Sequence, residues 1–409
     1  MARLIPFLFI YIIIDWYSLQ AVRAVTKNQW WYYAHIALSV LVVANFIVQF
    51  FILNDTGRLM NPAKSYAFGF LIAVFTFKLL ILPFLFGEDL FRIGAGFYNK
   101  LFGAKESFDI PSRRRFISTL ALGIAAIPFA SLLYGMYKGK YNFRVLRYTL
   151  EFDDLPEAFD GYRITQISDI HSGSFDNKTK IEYAIDLINN EASDAILFTG
   201  DMVNNLATEM LPWKDTFARL EAKDGKYSVL GNHDYGDYVS WNSLADKEKN
   251  LEMLKDIQKE MGFDLLLNES RFLEKEGERI AIVGVENWGA GGFKKAGDLN
   301  KASENVKKND FKILLSHDPS HWAHEVIHHD YHYHLTLSGH THGMQFGIEI
   351  PGLIKWSPVK WRYKHWAGIY EELGQYINVN RGFGFLAYPG RVGIWPEITV
   401  IELKKALKA

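Results

Sequence analysis

Cysteine is absent from all 409 residues. Disulfides and thiolate metal sites are thereby excluded, and any metal must be held by His, Asp, Glu or Asn. Charge of one sign is missing too: 45 Lys and Arg stand against 46 Asp and Glu. Without a broad basic field, nucleic acid is not an expected partner. There is no internal repeat and no long low-complexity tract, which removes a repeat architecture from consideration. What remains is a chain too long for one ordinary domain. Its mean hydropathy of -0.05 looks soluble only because it averages an apolar front and a polar back.

The front holds four apolar stretches, residues 4–22, 33–52, 65–86 and 116–137, each near the ~20 residues that cross a bilayer as helix. Trp16, Trp30, Trp31, Tyr32 and Tyr33 lie near their ends, where interfacial aromatics gather. Residues 1–137 are therefore expected to form a four-helix transmembrane region with the lipid bilayer as partner. Two ionisable groups fall inside it, Asp15 and Lys78; they either pair with each other or snorkel from helix ends. Residues 87–103 alternate apolar and charged side chains and are expected to lie along the interface. Arg92, Lys100, Lys105, Arg113, Arg114 and Arg115 precede the fourth stretch, and the positive-inside rule places them in the cytoplasm. The run Ser112-Arg113-Arg114-Arg115-Phe116-Ile117 resembles a twin-arginine export signal, although an internal one. Both features send the C-terminal half outward, while Lys138, Lys140, Arg144 and Arg147 beyond the same helix weaken that bias.

Residues 138–150 read as a short linker and first strand, which implies a domain held close to the bilayer. From 151 to 409 the pattern is α/β. Strands are expected at 163–168, 194–199, 226–230, 264–267, 271–274, 279–285, 311–316 and 334–338. Helices are expected at 178–190, 206–221 and 244–262, with two more around the 311–316 strand, and mostly strands follow to 403.

The chemistry lies where these strands end, which is where open α/β sheets collect ligands. The first delivers Asp169-Ile170-His171; with the chain extended, residues two apart point the same way and can reach one ion. The next ends in Gly200-Asp201-Met202-Val203-Asn204, the third in Gly231-Asn232-His233-Asp234. Later strands end in His317 and in Gly339-His340-Thr341-His342. The glycines allow sharp turns and close approach of a metal.

This ordered series, D-x-H, GD-x-x-N, GNHD, a lone His and GH-x-H, resembles the calcineurin-like metallophosphoesterases. Asn380-Arg381-Gly382-Phe383-Gly384 and Trp395-Pro396-Glu397-Ile398 are similar to the ending of that superfamily's membrane-associated branch, with Trp395 where an arginine is common. The resemblance covers about residues 161–403 and implies a two-sheet αββα sandwich. It also implies two divalent ions, with Mn, Fe, Zn and Co all suited to the ligands. Asp169, His171 and His342 are implied for one ion, Asn232, His317 and His340 for the other, with Asp201 bridging. A shared carboxylate offsets the repulsion of two close cations, and a metal-bridging hydroxide is the implied nucleophile. His233 is implied as the group that protonates the leaving oxygen, Asp234 as its orienting partner, and Asn204 as support for the site. Arg381 either holds a substrate phosphate or sits in an internal salt bridge.

Other features compete for attention. His321, His324, His328, His329, His332 and His334 cluster in sequence and read as a polar helix and loop rather than a metal site. Residues 284–292 are expected to form a loop near the site, and the Trp- and Lys/Arg-rich segment 356–366 to touch lipid headgroups or cap the pocket.

The function expected is a membrane-anchored phosphoesterase or pyrophosphohydrolase acting on a phosphorylated, lipid-linked substrate, in a bacterial cytoplasmic membrane. Relatives in this branch include enzymes that cleave UDP-2,3-diacylglucosamine in lipid A biosynthesis. That substrate is made in the cytoplasm, whereas the charge pattern points outward, so the two expectations conflict. A ligand-sensing membrane receptor or scaffold, which needs one ion or none, and a protein phosphatase, which lacks this front and ending, are the alternatives.

Overall fold

The computed structural model describes residues 4–53, 60–102, 111–350 and 352–406; Lys105 of the basic loop lies outside them. Among these residues two compact units emerge, divided at Tyr137, with the helical stretch before it in one and the residues from Lys138 on in the other.

The first unit contains helices α1 (Leu4–Val25), α2 (Gln29–Ile47, prolonged by a π-helical turn Val48–Ile52), α3 (Pro62–Phe102) and α4 (Pro111–Tyr137). All four are long and apolar enough to cross a membrane. One expectation fails. Residues 87–102 do not break off as an interfacial helix but prolong α3 to 41 residues, roughly twice the length a bilayer core requires. The extension is anchored by charge: Glu88 lies 3.2 Å from Arg113 and Asp89 2.6 Å from Arg114 of α4. Asp15 and Lys78 do pair. Lys78 Nζ is 2.6 Å from Asp15 Oδ1 and donates to the Tyr11 hydroxyl at 3.0 Å. Ser39 Oγ donates to the same Asp15 oxygen, and His35 Nε2 lies 2.9 Å from it. Two opposite charges in an apolar bundle thus satisfy each other instead of reaching for water.

The second unit opens with β1 (Arg144–Phe152), β2 (Arg163–Ile167), α5 (Lys178–Asn189) and β3 (Ala195–Phe198). Next come α6 (Lys214–Ala218), β4 (Lys226–Ser228), α7 (Leu244–Glu260) and β5 (Phe263–Leu265). Strands β6 (Glu269–Lys275) and β7 (Glu278–Gly284) precede α8 (Leu299–Ala302), β8 (Phe311–Leu315), α9 (Ser320–His324) and β9 (Leu335–Ser338). The chain finishes with β10 (Ile348–Ile350), β11 (Ile354–Trp356), β12 (Gly368–Glu372), β13 (Gln375–Val379) and β14 (Glu397–Lys405). The helix expected over 206–221 is instead a 3₁₀ turn, Ala207–Met210, and the short α6. Pro212 separates them, because its ring displaces the preceding turn and its nitrogen has no proton to donate.

Two six-stranded sheets result, β1-β14-β2-β3-β4-β5 and β12-β13-β9-β8-β7-β6. Strands β2, β3, β4 and β5 run parallel, as do β7, β8, β9 and β13. Alternation along each strand sorts its side chains into layers. Ala195 and Leu197 meet Ile280, Ile282, Ile313 and Leu337 in a core between the sheets. Ile196 and Phe198 face the other way, onto Ile185 and Ile188 of α5 and Leu254 of α7. On the outer face of the second sheet Ala281, Val283 and Leu314 pack on Leu299, Ala302 and Trp322. The layers are therefore helix, sheet, sheet, helix.

Candidate metal centre

Parallel strands bring their carboxyl ends to one edge, so β2, β3 and β4 of one sheet and β8 and β9 of the other converge there. Cross-sheet hydrogen bonds hold that edge together: Gln166 Nε2 donates to the Ser338 carbonyl at 2.9 Å, and the His340 amide to Asp169 Oδ1 at 3.0 Å. The two-residue spacing acts differently from expectation. Asp169 and His171 are not extended but left-handed, with φ of 52° and 48°, and Asp201, His340 and His342 share that conformation at 60°, 70° and 51°. For residues with a Cβ this costs about 1–3 kcal/mol each. Gly231 and Gly339 have no such atom to place; a Cβ on Gly231 would collide with Asp201, and one on Gly339 with Ser168 and Asp169.

Two groups of donors form. Asp169, His171 and His342 bring their ligand atoms within 4.8 Å of one another, and so do Asp201, His317 and His340. Asp201 Oδ2 stands between them, 3.6 Å from His171 Nε2 of the first group and 3.1 Å from His317 Nε2 of the second. His342 Nε2 is 3.1 Å from Asp169 Oδ1 and 3.0 Å from His171 Nε2. Backbone contacts fix the rings: His317 Nδ1 donates to the Thr199 carbonyl at 2.7 Å, which leaves Nε2 for an ion. Asn232 belongs here as well. Its amide nitrogen donates to the Tyr238 hydroxyl at 2.7 Å, while its buried Oδ1 has no hydrogen-bond partner among the described residues. An orphaned buried carbonyl oxygen is costly unless something positive meets it, so the donors fit a pair of divalent ions.

The electrostatics agree. Burial alone would raise the Asp201 carboxyl, but His317, His233 and His171 around it hold it well below the usual range. Burial also opposes charge on His317, yet Asp201 and Asp169 carry that ring up to about 10. The carboxylates thus draw a proton where a cation is lacking, and metal binding would displace it. Burial keeps His171 well below 6.5 and takes His340 down to about 4, leaving both as neutral donors able to meet a cation.

Of the other expected residues, His233 lines the cavity over these groups, with Nδ1 bonded to the Asn204 carbonyl at 2.7 Å. Asn204 therefore acts through its main chain. Asp234 does not orient His233. Its carboxylate accepts the amides of Asp201 at 3.0 Å, Met202 at 2.8 Å and Gly231 at 2.8 Å, tying the β3 and β4 ends together. Burial and the Asp201 charge push it up to about 7. Arg381 is internal, bound to Glu397 and, at 3.0 Å, to Glu349, so it is not free for substrate. Sequence reasoning missed Asp318, whose carboxylate lies 3.7 Å from His340 Nε2, and Tyr363, whose hydroxyl lies 2.9 Å from that nitrogen. Buried Arg391 was missed too; it reaches His342 Nδ1 at 3.2 Å. Tyr363 comes from the 356–366 segment, so that segment does wall the pocket. The 321–334 histidines disperse: His321 bonds Ser316, His334 bonds Asp154 and the Lys312 amide, and His329 faces Asn300. The cavity itself is about 420 Å³, with Phe293, Met344, Val359, Trp361 and Leu386 as its apolar wall.

Comparison with known proteins agrees with this architecture. The family described as "Probable Calcineurin-like phosphoesterase, transmembrane domain" matches residues 1–140, and "Calcineurin-like phosphoesterase" matches residues 162–344. An uncharacterized metallophosphoesterase of Bacillus subtilis, YkuE, is 30% identical over 72% of this chain and 98% of its own length. A Danio rerio transmembrane protein with metallophosphoesterase domain is 26% identical over 90% of this chain and 78% of its own. The UDP-2,3-diacylglucosamine pyrophosphatase LpxG of Chlamydia trachomatis is 28% identical over 57% of this chain and 80% of its own. This chain belongs to the calcineurin-like phosphoesterases; it is a membrane protein and a metal-dependent phosphoester hydrolase.

Proposed function

We propose that this protein hydrolyses a phosphoester or phosphoanhydride bond of a lipid-linked substrate at a dinuclear centre. Asp169, His171 and His342 would hold one ion and Asn232, His317 and His340 the other, with Asp201 available to both groups. The observation that carries this reading is the placement of Asp201 Oδ2 between the two donor groups. Two divalent ions bound there supply Lewis acidity and an acidified water as nucleophile. The chain does the rest. His233, its Nδ1 held by Asn204, has Nε2 left for the cavity and in its imidazolium form gives that proton to the leaving oxygen. The apolar wall of Phe293, Val359, Trp361 and Leu386 suits acyl or prenyl chains. Beyond it Ile350 and Leu353 of the β10–β11 hairpin are 49% and 79% exposed, an apolar continuation that extends through the Trp356–Trp361 ring contact. The LpxG relative supports an acylated, pyrophosphate-linked class of substrate; UDP-2,3-diacylglucosamine itself, being made in the cytoplasm, requires the opposite orientation from the one proposed next. We place the catalytic unit outside a bacterial cytoplasmic membrane, since Arg92, Lys100 and Arg113–Arg115 favour a cytoplasmic α3–α4 loop and acidic partners contribute little to that rule. The purified chain should contain two ions and release product from phosphodiester and pyrophosphate-linked probes with Mn²⁺, and Asp201→Asn should lose both ion pairing and turnover. Undiminished activity in that variant would overturn the reading; protection of residues 138–409 from protease in right-side-out vesicles would overturn the orientation.

A further inference from the structure

Two cavities meet at one wall beside the metal centre. The second, about 380 Å³, lies against Ser320, His324, Lys364 and His365, and Arg362 and Tyr363 line both. Tyr363 is tethered by its hydroxyl to His340. Arg362 is not tethered. Its exposed guanidinium lies 5.0 Å from the Phe293 ring centre and 5.4 Å from that of Tyr363, with no carboxylate or carbonyl partner among the described residues. Neighbouring basic side chains are committed: Arg381 to Glu349 and Glu397, Arg391 to the Gly382 and Gly384 carbonyls, Lys364 and His365 to Glu372. Arg362 thus stands between the ligand set and an adjoining chamber with its planar fork of donors unused.

We propose that Arg362 and the second cavity form a subsite for a second phosphate, one bridging oxygen beyond the phosphorus attacked, so that the preferred substrate is a phosphoanhydride rather than a simple diester. This rests on the hydrolase reading above and adds the substrate class. A guanidinium accepts a phosphate in bidentate fashion, and stacking on Phe293 and Tyr363 holds its plane. The balance is simple. Water adds to the phosphorus at the metal centre, and the bond from that phosphorus to the bridging oxygen breaks. The bridging oxygen takes the electron pair and the proton that His233 gives it, and leaves within the second phosphate, whose remaining charge the guanidinium meets. Two phosphate monoesters form; one proton of the water restores His233 and the other passes to solvent. The chamber falls within the ~300–1,000 Å³ of small-molecule sites, which gives room for the group carried on the second phosphate.

The test uses the full chain in detergent with Mn²⁺ and two probes that differ by one phosphate, bis(p-nitrophenyl) phosphate and P1,P2-bis(p-nitrophenyl) pyrophosphate. Arg362→Gln should lower kcat/KM on the anhydride about 10- to 100-fold and leave the diester within about 3-fold. Arg362→Lys should recover part of the loss. Binding supplies a second readout: methylenediphosphonate should bind Arg362→Gln about 10-fold more weakly, orthophosphate equally, with two ions per chain retained. Equal losses on both probes, an unchanged anhydride rate, or a wild-type preference for the diester would each overturn the subsite while leaving the hydrolase intact. Failure of the wild type on both probes would instead count against the hydrolase reading on which the subsite rests.

Discussion

Around His233 and Asp234 two adjacent side chains do unlike work, and the difference is measurable. His233 shows a ring to the cavity; Asp234 is wholly buried and spends its oxygens on the amides that join the ends of β3 and β4. His233→Gln should therefore cut turnover by ~10²–10⁴-fold with metal content and melting temperature unchanged. Asp234→Asn should do the reverse, costing about 1–3 kcal/mol of stability because one oxygen acceptor is replaced by a donor facing donors. A parallel loss of stability in both variants, measured by thermal melts and metal analysis, would undo the distinction. Away from the metals, burial lowers His321 to about 3 and, against the pull of Asp154, His334 to about 4. Their unfolded counterparts protonate near 6.5. Unfolding takes up protons between those values, so stability is full above pH 6.5 and falls as pH drops, by about 1.4 kcal/mol per unit for each ring. Urea midpoints at pH 7 and pH 5 should show the decline, and His334→Gln, which keeps an acceptor and a donor, should flatten it.

At the level of elements, the strand ends were legible because chemistry and backbone coincide there. Asp169, Asp201, Asn232, His317 and His340 each follow a short apolar run bounded by turn residues, which reads as a buried strand without any tertiary information. The left-handed turns were not legible, since nothing in the spacing of Asp169 and His171 separates a pleat from a turn. Nor were Tyr363, Asp318 and Arg362, which come from irregular segments without period. Arg381 shows what the sequence leaves open: its charge is plain, but the choice between substrate and an internal salt bridge is made by Glu349 and Glu397, which lie 32 and 16 residues away and are joined to it only by the fold. The turn conformation can be tested by itself. At His340, with φ 70°, glycine and alanine remove the same ring, but only alanine keeps the left-handed strain. His340→Gly should melt above His340→Ala by the equivalent of ~1 kcal/mol; the opposite order would show that the ligand backbone is relaxed.

For the whole molecule, the sequence divides where the structure does, because a bilayer and an aqueous core demand different patterns. Four apolar runs stand beside strands that alternate between two packed faces. The boundary of α3 was misread because hydropathy registers apolar length, whereas the ion pairs of Glu88 and Asp89 with Arg113 and Arg114 decide where that helix continues. This division makes metal removal informative. The donor groups draw on both sheets of the second unit, and the strain and buried charge at their positions oppose folding when no cation meets them. An ion that binds only the folded state adds about 2.7 kcal/mol when present at a hundred times its dissociation constant. With two such ions, chelation should therefore lower the melting transition of residues 138–409 by roughly 10–20 °C, and Mn²⁺ should restore it. The helical unit holds none of these ligands, so its transition should stay where it is. If both transitions moved together, or neither did, the stability of the second unit would not depend on cations at these positions.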